Sequence, residues 1–87
     1  MLRSGDVPHL TNFSQAQLAP GQIAAAHHHT DMYEVFFVEA GEGVIQIDDT
    51  PYQLKAGVCV AVEPGEQHEV SNTGTEELVL TYFGILV

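Results

Sequence analysis

The chain has 87 residues, 45% of them hydrophobic, and sets twelve Asp and Glu against two basic residues, Arg3 and Lys55, for a formal net charge of −10. That length is exhausted by one small domain, and the apolar content excludes a disordered chain. No basic patch can form, which excludes nucleic acid and anionic membrane as partners and leaves a phosphate or carboxylate ligand without its usual Arg or Lys.

Residues 1–10 are polar, carry Gly5 and Pro8, and are expected to form a lead-in arm to one domain over 11–87. They lack the apolar run of a signal peptide, no stretch is long enough to span a membrane, and Cys59 is alone. The expectation is a cytoplasmic protein without disulfides. Thr11 to Leu18 alternates weakly and suits an edge strand, and Ala19-Pro20-Gly21 is a turn. Gln22 to His29 predicts a second strand, with Ile23, Ala25, His27 and His29 on one face. Tyr33 to Glu39 predicts a third. Glu34, Phe36 and Val38 share one face, Tyr33, Val35 and Phe37 the other, and both are apolar enough to expect cover on both sides.

Gly41-Glu42-Gly43 turns the chain into a short strand from Val44 to Asp48. Tyr52 to Leu54 is shorter still. Val58 to Val62 is wholly apolar, with Cys59 expected as a small buried hydrophobe. Glu63-Pro64-Gly65-Glu66 turns again. His68 to Asn72 alternates, placing His68, Val70 and Asn72 together. Leu78 to Val87 is apolar on both faces, which predicts either burial between two sheets or burial against a second subunit, as in a homodimer. Eight short strands with a turn about every ten residues predict an all-β sandwich or barrel, and two sheets of a jelly roll would limit the free edges.

His27 and His29 stand two residues apart, a spacing that puts both imidazoles on one side of a strand. Glu34 follows after a turn, and His68 offers a third imidazole next to Pro64-Gly65, where a glycine suggests close approach of strand ends. Neutral imidazoles and a carboxylate are ligands for a divalent transition metal. Gly21-x5-His27-x-His29-x4-Glu34-x6-Gly41 resembles the first cupin motif in every spacing. Gly57-x5-Glu63-Pro64-Gly65-x2-His68-x3-Asn72 is similar to the second. Glu63 stands where the family usually has Pro, and Val58 where it often has Asp; neither departure touches a ligand.

The resemblance implies a small double-stranded β-helix (a jelly-roll barrel) with a divalent metal held by His27, His29, Glu34 and His68. Iron, manganese, zinc, nickel and copper all suit such a site, and mixed nitrogen and oxygen ligation favours iron or manganese for chemistry. His28 is expected to face solvent, His9 to be exposed in the arm, and Tyr33, Tyr82 and the Phe residues to pack. A rival triad of His29, Asp31 and His68 resembles 2-oxoglutarate oxygenases, but no basic residue follows His68 to anchor a co-substrate. The function expected is a small metal-dependent enzyme of dioxygenase, isomerase or decarboxylase type. Its substrate would be a small neutral or chelating molecule, such as a diol, a diketone or a catechol-like compound. Glu63, Tyr82 and Gln46 are the candidate acid–base helpers. The alternative is a non-catalytic module that binds or senses a metal or small molecule.

Overall fold

Glycine and proline turns divide the chain into eight strands in a computed structural model that describes residues 9–27 and 30–87, with the backbone alone for 11, 12 and 25–27. They are β1 (Leu10–Leu18), β2 (Ile23–His27), β3 (Met32–Ala40), β4 (Glu42–Ile47), β5 (Thr50–Lys55), β6 (Cys59–Val62), β7 (His68–Ser71) and β8 (Leu78–Leu86). No helix occurs among the described residues. β1 begins inside the expected arm: the Leu86 N–H donates to the His9 carbonyl at 2.6 Å, which ties His9 to the end of β8. β5 is longer than expected because Pro51 sits within it, opposite Gln46. An edge strand tolerates a residue with no N–H to give.

The strands form two four-stranded antiparallel sheets, ordered β1-β8-β3-β6 and β2-β7-β4-β5. This is a jelly roll, an all-β double-stranded β-helix. Strand alternation sends one residue in two between the sheets. From the first sheet come Leu18, Phe36, Val38, Val62, Leu78 and Leu80; from the second come Ile45, Ile47, Leu54 and Val70. Gly43 lets β4 pass close to β7, since a Cβ there would run into the Ser71 carbonyl. Gly65 has a positive φ of 87° with open space around it, so it serves the turn after β6 and not the close approach expected of it.

Asn72 closes one end of the core. It is 3% exposed, directly after β7. Its side-chain amide donates to the carbonyls of Leu18 at 2.9 Å and Glu76 at 2.8 Å, and its side-chain oxygen accepts from the Gly74 N–H at 2.9 Å. Its backbone pairs with Gln22 and Gly21 at the start of β2. One buried residue thus holds the ends of β1 and β7, the start of β2 and the loop leading to β8.

The outer face of the first sheet departs from expectation. β3 is covered on one side only: Glu34, Phe36 and Val38 are buried, whereas Tyr33 is 40% and Phe37 38% exposed. β8 divides likewise, with Leu78 and Leu80 inside and Ile85 39% exposed. Phe13 is 50% exposed and stacks on Phe83 with ring centres 5.9 Å apart. Cys59 is exposed, not buried, because alternation gives the inner positions of β6 to Val60 and Val62. A single chain with two sheets has only one interior. Apolar residues on both faces of a strand cannot all enter it.

Candidate metal centre

Two of the expected ligands meet across the gap between the sheets. Glu34 lies on β3 in the first sheet and His68 opens β7 in the second. The His68 Nε2 and Glu34 Oε1 atoms stand 3.3 Å apart, with side chains 2% and 10% exposed. Local pattern puts them there. On β3, Glu34 shares the inner face with Phe36 and Val38; on β7, His68 shares it with Val70. The Phe36 ring meets the His68 imidazole edge-on at 5.3 Å and stacks on Tyr82 at 5.7 Å, which gives the pair an aromatic backing.

Of the histidine run, His28 and His29 lie outside the described residues, as does the His27 side chain. The backbone of β2 is informative nonetheless. Ile23 pairs with Ser71 and Ala24 with Val70, and the register then shifts between Ala24 and His27, setting His27 opposite His68. Strict alternation put Ile23 and His27 on one inner face. In fact Ile23 is 58% exposed and Ala24 lines the cavity. An irregularity of this kind changes which residues face the core beyond it, and alternation alone gives no sign of it.

The other candidates divide. Asp31 of the rival triad is exposed, and its carbonyl accepts from the Val87 N–H at 3.0 Å. Gln46 lines an adjoining hollow with Asp48, Gln67 and His68 itself, and Glu63 lines a groove with Tyr52 and Cys59. Tyr82 does line the cavity that holds Glu34 and His68. His9 is exposed, as expected.

That cavity has a volume of about 160 Å³. Its polar lining is Glu34, His68 and Tyr82; the rest is Ala16, Leu18, Ala24, Phe36, Val70 and Leu80. Register sorts these along the strands. On β3, Glu34, Phe36 and Val38 stand across from Gly84, Tyr82 and Leu80 of β8, and on β7 Val70 follows His68. The carboxylate and imidazole therefore occupy one end and hydrocarbon the other.

A family model described as a cupin domain matches residues 14–84. The chain belongs to the cupin family. This cupin is 32% identical over 66 residues to a Thermotoga maritima protein named an oxalate-binding protein, covering 76% of the chain and 54% of that protein. It is 33% identical over 82 residues to the HTH-type transcriptional activator RhaS of Yersinia pestis, covering 86% of the chain and 29% of that protein. Among solved structures, a predicted oxalate decarboxylase from Thermotoga maritima superposes with a TM-score of 0.87 at 29% identity. It covers 91% of this cupin and 69% of that chain. The cupin thus spans about half, or less, of the length of these two named relatives.

Proposed function

We propose that this cupin holds a divalent transition metal between its sheets through His27, His29, Glu34 and His68, and uses it to bind, and in the first reading to transform, a small chelating molecule. The observation that carries the reading is the buried Glu34–His68 pair, reached from opposite sheets. Two donor atoms bound to one ion at about 2.1 Å and roughly 90–110° apart would stand about 3.0–3.4 Å from each other, and these stand at 3.3 Å. The donor chemistry fits as well: a carboxylate oxygen and an imidazole nitrogen, with the His27 backbone directly across the ladder from His68.

A bound ion would supply Lewis-acid polarisation of an oxygen-bearing ligand, or a site for dioxygen, as in dioxygenase, isomerase or decarboxylase chemistry. The protein's own part follows from its side chains. Glu34 brings negative charge that offsets the cation. Phe36 holds the His68 ring in place. Tyr82 offers the acid–base hydroxyl. The test is elemental analysis of protein purified without a histidine tag, followed by oxygen uptake of the iron-loaded form with a panel of chelating substrates. Less than about 0.1 metal per chain after loading would sink the reading.

A second reading is favoured by the match to RhaS, a transcriptional activator much longer than this chain: a non-catalytic module that binds or senses a small molecule. Tight ligand binding with no turnover would select it. In either reading the molecule is a homodimer joined through the outer face of the first sheet. Phe13, Tyr33, Phe37 and Ile85 are exposed there, and the Glu39 carboxylate on that sheet accepts from the Thr81 hydroxyl at 3.1 Å. Two copies of such an apolar face can cover one another.

A further inference from the structure

The name of the Thermotoga relative raises oxalate as a ligand, yet the described wall of the cavity is mostly hydrocarbon. Oxalate is charged at both ends and has no hydrocarbon. One metal can chelate an oxygen of each carboxylate, but the two outer oxygens still need cations or hydrogen-bond donors that replace water. The chain offers two basic residues. Lys55 is exposed at the end of β5 and paired across the ladder with Glu42, away from the cavity, and Arg3 precedes the described residues. Beyond Glu34 and His68 the described wall is hydrocarbon, apart from Tyr82: Ala16, Leu18, Val70 and Leu80. A wall of this kind repels charge and rewards apolar contact.

We infer that the cavity takes a ligand made of two parts, a chelating head at the Glu34–His68 end and an uncharged hydrocarbon body at the Leu18–Val70–Leu80 end. The inference rests on the metal reading above, which supplies the head's partner. Size limits the body. A hydrocarbon-lined cavity of about 150 Å³ holds one benzene ring, and this one measures about 160 Å³. The body is therefore at most one six-membered ring, since the same volume, open to solvent at Ala24, must also admit the head. Ala24 is exposed where the cavity reaches the surface, at the seam between edge strands β1 and β2.

Calorimetric titration with oxalate, acetohydroxamate and benzohydroxamate tests this. The two hydroxamates share a head and differ in the body. Each is titrated into manganese-loaded protein and into chelator-treated protein. Benzohydroxamate should bind the loaded protein about tenfold or more tighter than acetohydroxamate, with oxalate weaker than both. Ala16→Leu, which fills the apolar end, should remove the benzohydroxamate advantage and leave acetohydroxamate unchanged. Ala24→Arg should bring oxalate up about tenfold, while Gln17→Arg on the outer face should not. Circular dichroism checks that each variant is folded.

Equal affinity for the two hydroxamates in the loaded protein overturns the apolar body and leaves the metal standing. A ring preference that persists after chelation supports the apolar body and overturns the metal as partner of the head. Oxalate binding tightest, or no binding by any probe, overturns the inference.

Discussion

β7 is four residues long, yet the inner positions at its two ends do opposite work. His68 opens the strand and Asn72 follows it directly; the two are 2% and 3% exposed. Each polar group of the Asn72 amide is engaged by a loop or strand end within 3 Å. His68 instead turns an imidazole toward a carboxylate across a cavity. Burial of polar atoms costs free energy unless it is compensated. At the closed end the backbone supplies the compensation, and the result is a joint between strands. At the other end it comes from an acidic side chain on the opposite sheet, which suits a visiting cation.

The comparison breaks most readily at His68. His68→Ala should lower metal affinity by about a hundredfold or more, read by titration with a competing chelator, with far-UV circular dichroism retained. Asn72→Ala should do the reverse. It strands two carbonyls and an amide, and should cost about 2–4 kcal/mol, a drop of about 10–20 °C in melting temperature, with metal per chain unchanged below the melt. If Asn72→Ala also empties the site, the two ends of β7 are one cooperative unit and the contrast fails.

Removing the metal should cost about as much stability. Chelation at neutral pH should lower the melting temperature by about 10–20 °C, since a ligand at about 100 times its dissociation constant adds about 2.7 kcal/mol. Identical melts would deny the ion any part in holding the sheets together. Ile85→Glu on the outer face should shift mass by light scattering from two chains to one, with the site unaffected. Smallest of all, His28→Ala should leave metal content within error, and a loss equal to that of His68→Ala would contradict the assignment of ligands.

The strands were legible because turn chemistry is local: Pro20-Gly21, Gly41, Pro64-Gly65 and the 72–75 loop mark their ends without reference to anything distant. The pairing of Glu34 with His68 was legible because both lie on clean alternations, Glu34-Phe36-Val38 and His68-Val70-Asn72, that remain buried throughout. Three things were not. The register shift in β2 adds no unusual residue, so it left no mark among three alanines. The fates of Cys59, Phe37 and Tyr33 depended on which of two apolar faces the single interior would take. The hydrocarbon wall of the cavity drew on Ala16, Leu18 and Leu80 of β1 and β8, residues outside both motifs and indistinguishable in sequence from ordinary core.

The register shift in β2 also bears on how the centre fails. Three histidines follow one another at 27–29, and sliding β2 by one residue along β7 would replace His27 with His28 opposite His68. The same slide would put Thr30 where His29 stood, so one of the two imidazoles is exchanged for another and the second is lost. A deletion within Ala24–Ala26 would therefore keep a histidine opposite His68 and halve the imidazoles that this stretch could bring to a metal.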